Sequence, residues 1–371
     1  MIIKNAKVYL ENGVFEKEDI YIRDDRFAEK NIYDNHIIDG EGLYAIPGLT
    51  DIHFHGCAGY DFCQGSQEAL ETMAIYQAEN GITTICPATM TLDDEKLIKI
   101  FLSGSEYNNE KGATLVGINM EGPYLSYAKK GAQNPAFLKK PDVEHFRKMN
   151  KLSGNLIKLV TVAPEEEESM AFIKELKDEV LISIGHTNAD YNTAIQAFKN
   201  GASHVTHLYN AMAPFSHRAA AVVGAAFDSD NTRVELICDG VHVESSVIRA
   251  TFKLFGDDRI ILVSDSMMAT GMENGQYTLG GQPVTVKGNK ATFADGTLAG
   301  SVTNLMECMQ KAISFGIPVE SAVKSAAVNP AKEIGIYDQY GSISPGKYAN
   351  LVLLDKEFNV KNVILKGKLI K

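Results

Sequence analysis

Two histidines, His53 and His55, close the stretch AIPGLTDIHFHG at residues 45–56. Side chains two apart on a strand point to the same face, so the pair is either a surface accident or half of a metal site. Other residues favour the second reading. Glu121 ends the apolar run TLVGINMEG, His186 ends VLISIGHT, and His207 lies in SHVTHLYN. Asp239 lies at the end of RVELICDG with His242 just beyond it, and Asp265 lies at the end of RIILVSDS. Imidazole and carboxylate are the ligands that Zn2+ and similar divalent ions prefer. An aspartate beside such an ion can act as general base and then general acid. Brought to one rim, this set is what a metal-dependent hydrolase needs.

Taken singly, each residue has a plainer account. A lone histidine is a surface or satisfied core residue, and His36, His145 and His217 are read that way. His204 stands three before His207, so on a strand it faces the helix layer, away from the ligands. A terminal Asp such as Asp265 can simply cap the next helix. Cys57 and Cys63 have no thiol partner at a zinc-ribbon spacing and are read as buried fillers. The coincidence of four histidines at strand ends decides for a site.

Eight apolar runs position these groups: LTDIHFHG, ITTICPA, TLVGINMEG, NLIKLVTVA, VLISIGHT, SHVTHLYN, RVELICDG and RIILVSDS. Helix-like stretches such as SQEALETMAIYQAEN and NADYNTAIQAFKNG separate them. Short apolar strands alternating with helices indicate a parallel sheet covered on both faces. Eight such units predict an α/β fold, a (β/α)8 TIM-like barrel over residues 46–334, whose chemistry sits at the carboxyl ends of its strands. No GxGxxG opens a first helix, which counts against an open doubly wound sheet. The ends of the chain differ from the middle, with short strands around NG, DD and DG turns. Residues 1–45 and 335–371 are therefore expected to build one small β-sandwich domain together. A β-hairpin excursion is expected in GQYTLGGQPVTVKGNKATFADGTLAGS, before the final helices.

The 371 residues are 45% hydrophobic and 22% charged, ordinary for a globular protein with a sizeable core. A net charge of −11 argues against nucleic acid or an anionic membrane as the main partner. Five scattered cysteines without a CxxC pair fit a reduced compartment. With no apolar run near the roughly 20 residues of a membrane span, the expected location is cytoplasmic.

PGLTDIHFHG, MEGPYL, GHT, THLYNAMAP, CDGVHV, VSDSM, GTLAGS and GSISPGKYANLVLLD, in that order, resemble the N-acetylglucosamine-6-phosphate deacetylase family of the amidohydrolase superfamily. The opening and closing motifs are general to the superfamily, whereas MEGPYL followed by HLYNAM is specific to sugar-phosphate deacetylases. The resemblance implies hydrolysis of the acetamide of N-acetylglucosamine 6-phosphate to glucosamine 6-phosphate and acetate, in amino-sugar catabolism and cell-wall sugar recycling. It implies one or two divalent ions (Zn, Fe or Mn) and a homodimer. Glu121, His186 and His207 match the primary metal ligands. His53 and His55 match the pair that adds a second ion, with Glu121 as the bridge. Asp265 matches the catalytic base and acid that draws the proton from a metal-activated water. Substrate contacts carry over to Asn210, Ala211, Arg218 on the phosphate, His242, and Leu298, Ala299 and Gly300.

One departure falls in KGAQNP. Relatives with a histidine there use it to polarise the acetyl carbonyl, and this chain has Ala132 and Gln133. Either the Gln133 amide or a second ion takes that task. Three rivals remain. Deacetylation of the galactosamine epimer differs by one hydroxyl. A cyclic-amide hydrolase would need a carbamylated lysine at the end of strand four, and Lys158 comes three residues too early. A metal-free scaffold should lack several ligands, and this chain keeps them all.

Overall fold

The computed structural model describes residues 1–30, 34–108 and 111–371; positions 31–33 of the expected terminal domain lie outside that description. All eight expected core strands have a counterpart. A parallel sheet contains Leu49–Asp51, Ile82–Ile85 and Thr114–Leu115. A second, six-stranded parallel sheet runs in sequence order through Ile118–Glu121, Ile157–Val162, Leu181–Ile184, His204–Val205, Arg233–Ile237 and Ile260–Val263. The third run thus splits in two, correcting the expectation of one strand, because its halves pair with different neighbours. Backbone hydrogen bonds join the two sheets on both sides, from Asn119 N–H to Pro87 O and from Asp265 N–H to His53 O.

Period-two alternation sets the layers. Ile260 and Leu262 join the large core packed with the helices. Ile261 and Val263 turn to a smaller cluster with Ile52, Cys86, Leu159 and Ile237, closed below by Ala331, Ile334 and Ile336. The intervening helices start where the sequence offers caps. Ser66 accepts from Ala69 N–H ahead of Gln67–Glu79, and Asp190 accepts from Thr193 N–H ahead of Tyr191–Asn200. The excursion after the last core strand is a three-stranded antiparallel sheet of Gly275–Leu279, Gln282–Lys287 and Lys290–Thr292. Among the described residues no helix is long and apolar enough to cross a membrane.

Both ends of the chain enter one eight-stranded sheet. Tyr44–Pro47 lies parallel to Ile2–Tyr9 on one side and antiparallel to Leu351–Leu354 on the other. Along Leu351–Leu354, residues 351 and 353 face the sheet's own core with Ile3, Val8 and Ile22, while 352 and 354 pack into the large core. Tyr9, Ile46, Val363 and Leu365 from neighbouring strands join them there, so one face of the terminal sheet packs against the rest. Its last hairpin turns through Lys366 and Gly367, both at positive φ, as a two-residue turn requires. A Cβ at Gly367 would stand 1.9 Å from Asp24 O. Gly367→Ala is expected to cost ~1–3 kcal/mol, read as a lower thermal midpoint. Turnover per folded molecule should be unchanged, since the turn is remote from the site below.

Candidate metal and active site

His53 and His55 lie just past the strand that ends at Asp51, not on it. The extended chain still carries both rings to one side, with centroids 5.5 Å apart. At the other strand ends the backbone bends out of the β region. His186, His207 and Asp265 all have positive φ, at 45°, 26° and 48°. Such positions cost of order 1–3 kcal/mol each and collect at functional sites. Gly122, at φ 88°, follows Glu121; a Cβ there would meet Thr91 Oγ1 at 2.2 Å, so this turn admits only glycine.

The Glu121 carboxylate sits at the centre. Its Oε1 and the Nε2 atoms of His186 and His207 are each 3.1 Å from the other two. Ligands about 2.1 Å from a tetrahedral ion stand about 3.4 Å apart, so this triangle matches a cation's inner ligands. Glu121 Oε2 is 3.4 Å from His55 Nε2, which is itself 3.2 Å from Asp265 Oδ1. His53 Nε2 lies 3.3 Å from Glu121 Oε1 and 3.8 Å from Asp265 Oδ1, fully buried and without a hydrogen-bond partner. A shielded ring nitrogen with an unused donor or acceptor is costly, and a cation would satisfy it. The donor atoms of His53, Glu121 and His207, and those of His53, His55 and Asp265, lie within 4.8 Å of one another. These residues fit a divalent ion, with Glu121 placed to be shared by two.

The local charges agree. Burial opposes ionisation of Glu121, but the charges of His53 and His186 and the hydrogen bonds of His186 and His207 outweigh it, holding its pKa well below the usual range. Burial likewise opposes the Asp265 carboxylate, and the His55 hydrogen bond with the nearby imidazoles lowers its pKa overall. For His242 burial disfavours the charged ring, and Asp239, 2.7 Å from Nδ1, raises its pKa all the same. Asp239 also accepts from the His242 backbone N–H. His242 Nε2 is thereby aimed inward, 4.0 Å from Asp265 Oδ2.

These groups floor a cavity of about 360 Å3, in the range of small-molecule sites. His55, Glu121, His186, His207, His242 and Asp265 line it, with Ala132, Gln133, Asn210, Ala211, Leu298 and Gly300. Three expected residues are placed otherwise. His53 lies beneath the floor, and Ala299 is buried, donating its N–H to Ala291 O. Arg218 is exposed on the segment 213–220 and does not line the cavity. Lys158 does not reach it either. Gln133 is held at both ends of its amide: its nitrogen donates to Glu121 Oε2 at 2.7 Å, and its oxygen accepts from Thr91 N–H at 2.6 Å. Cys57 is buried and Cys63 half-buried, while His145 bonds Tyr124 and Asp94.

His204 does not face the helix layer. It is fully buried inside, its Nε2 3.2 Å from Glu235 Oε1 and its Nδ1 2.9 Å from Glu333 Oε1. The positive φ at His207 breaks the alternation, so residues three apart reach the same side. Sequence reasoning also missed Glu235, the one acid within the buried run RVELI, whose Oε2 is 2.8 Å from His53 Nδ1. A charge between buried strand residues was the available signal. Lys129, Met90, Leu279 and Thr297, which also line the cavity, carried no comparable mark.

Residues 44–370 match the amidohydrolase family. The chain is 36% identical to the N-acetylglucosamine-6-phosphate deacetylase of Bacillus subtilis over 100% of its own length and 96% of the relative's. It is 28% identical to the N-acetylgalactosamine-6-phosphate deacetylase of Escherichia coli O157:H7, covering 99% of this chain and 98% of that one. A mutant Mycobacterium smegmatis N-acetyl-D-glucosamine-6-phosphate deacetylase, solved with N-acetyl-D-glucosamine 6-phosphate, superimposes with a TM-score of 0.92 at 28% identity, covering 100% and 98% of the two chains. With its histidine and carboxylate donors gathered at strand ends and its match running through nearly the whole sequence, the chain belongs to the amidohydrolase family.

Proposed function

We propose that this protein hydrolyses the acetamide of N-acetylglucosamine 6-phosphate, giving glucosamine 6-phosphate and acetate. The observation that carries the reading is Glu121, set between His186 and His207 on one oxygen and His55 on the other, with Asp265 alongside. Glu121, His186 and His207 would hold one divalent ion, and His53 and His55 with Glu121 a second, of Zn, Fe or Mn. When bound, such an ion supplies Lewis-acid polarisation and makes a water proton easier to remove at neutral pH.

The chain's own groups do the rest. Asp265 Oδ1 is occupied by His55, leaving Oδ2 to take the proton from the attacking water and return it to the departing amine. Without that return the amine would have to leave as an unstable anion. His242, made more basic by Asp239, lines the cavity with Nε2 near Asp265 and would donate to the sugar phosphate or the developing oxyanion. Gln133 is tied to Glu121 and Thr91, which makes it a brace for the bridging carboxylate. Asn210 and Ala211 would contact the phosphate end, Leu298 and Gly300 would shape the sugar pocket above the buried Ala299, and Arg218, on the exposed segment 213–220 outside the cavity lining, would supply the phosphate's counter-charge.

We read the eight core strands as a (β/α)8 barrel over 46–334, with 1–45 and 335–371 as a small β-sandwich domain. A cytoplasmic homodimer is the assembly this reading favours, with the sugar phosphate and not nucleic acid or membrane as partner. The test is acetate release from N-acetylglucosamine and N-acetylgalactosamine, each with and without the 6-phosphate, with bound metal quantified. The gluco 6-phosphate should be the preferred substrate. Preference for the galacto epimer would reassign the substrate, and no acetate from any metal-loaded sample would overturn the reading. Arg218→Ala should raise KM for the phosphorylated sugar far more than for the plain one. Equal shifts would remove it from the phosphate site.

A further inference from the structure

Beneath the donor cluster runs a second row of polar residues that no step above uses. Glu235 lies fully buried on Arg233–Ile237, between Val234 and Leu236, which pack outward into the large core. Its Oε2 accepts the His207 backbone N–H at 2.9 Å and stands 2.8 Å from His53 Nδ1. Its Oε1 is 3.2 Å from His204 Nε2. His204 continues to Glu333 Oε1 at 2.9 Å, and Glu333 Oε2 accepts from Arg233 Nη1 at 2.6 Å. Arg233 is about a third exposed at the start of the strand. The line therefore runs without a gap from a ring beside Glu121, through the interior, to a cation at the protein's surface.

A carboxylate buried this deeply is retained only when every oxygen is satisfied. Here each one is, and the geometry has a chemical result. Glu235 can only accept, so His53 must place its proton on Nδ1 to meet it. That leaves the Nε2 lone pair free, facing Glu121 and Asp265, with no partner of its own. The same oxygen ties down the turn that presents His207.

We infer that Glu235 is a positioning residue of the metal centre. It fixes the tautomer and orientation of His53 and the backbone that aims His207, while His204, Glu333 and Arg233 hold it in place from below. This rests on reading His53 and His55 as part of a two-ion site. Carboxylates behind metal-ligating histidines set ligand basicity and orientation in this way, and their loss lowers metal affinity by about 10–100-fold.

The test is zinc titration of chelator-stripped protein by calorimetry, with bound zinc counted, for the unaltered chain, Glu235→Gln and Glu235→Asp. The thermal midpoint of each metal-free sample is recorded alongside. The aspartate keeps the charge but is too short to reach His53, His204 and the His207 N–H together. Both variants should bind at least one zinc equivalent about 10–100-fold more weakly. Unchanged affinity for both equivalents, whatever the change in metal-free stability, would reduce Glu235 to a packing residue and overturn the inference. An unaltered protein that binds fewer than two equivalents would instead break the two-ion reading beneath it. Should neither variant fold, nitrogen NMR of the zinc-loaded unaltered protein still decides. The ring signal lost in His53→Asn must carry its proton on Nδ1, and a proton on Nε2 would refute the assignment.

Discussion

Asp265→Asn is expected to abolish turnover while leaving metal content and substrate binding in place. The amide matches the carboxylate in size and can still face His55, so the fold and the donor cluster should survive. What it loses is the ability to take a proton. General acid–base groups contribute about 10²–10⁴-fold each time they act, and Asp265 acts twice, on the attacking water and on the leaving amine. The expected result is a fall in kcat of about 10³-fold or more with little change in KM. Single-turnover acetate release with metal counted on the same sample provides the check. Turnover near that of the unaltered protein would transfer the role elsewhere, with His242, 4.0 Å from Asp265 Oδ2, the next group in reach.

The second large effect separates the ligands by rank. Glu121 touches every donor pair, through Oε1 to His186 and His207 and through Oε2 to His55. Glu121→Gln should therefore empty both positions and reduce acetate release to background. It also removes the negative charge these imidazoles gather around, so adding metal should raise the thermal midpoint far less than in the unaltered protein. Replacing His53 and His55 together by Ala should do less, leaving about one equivalent of metal on Glu121, His186 and His207. Elemental analysis of the two proteins side by side gives the ranking. Complete loss of metal from the double variant would reverse it.

The donor set was legible in the sequence for a physical reason. His, Asp and Glu seldom end apolar runs unless something there needs them, so their positions stand out without any knowledge of contacts. The cores of the strands were legible for the same reason. The rest depended on partners far along the chain. Glu235 meets His53 across 182 positions and His204 meets Glu333 across 129, separations that no local pattern encodes. Strict alternation up to His207 puts His204 on the wrong side, because the backbone leaves the β region at His207. Gln133 was visible as a departure, but its engagement with Glu121 and Thr91 was not, because both oxygen and nitrogen turn inward to groups 12 and 42 residues away.

The terminal sheet has a consequence for how the molecule comes into being. Tyr44–Pro47 finds one neighbour in Ile2–Tyr9 at once, but the other, Leu351–Leu354, lies about 300 positions later. At typical synthesis rates of 5–20 residues per second, that edge stays open for roughly 15–60 s. An unpaired, apolar strand edge is a template for pairing with other chains. During that interval the first sheet stands incomplete, and Tyr44–Pro47 keeps an unpaired edge until Leu351–Leu354 has been made.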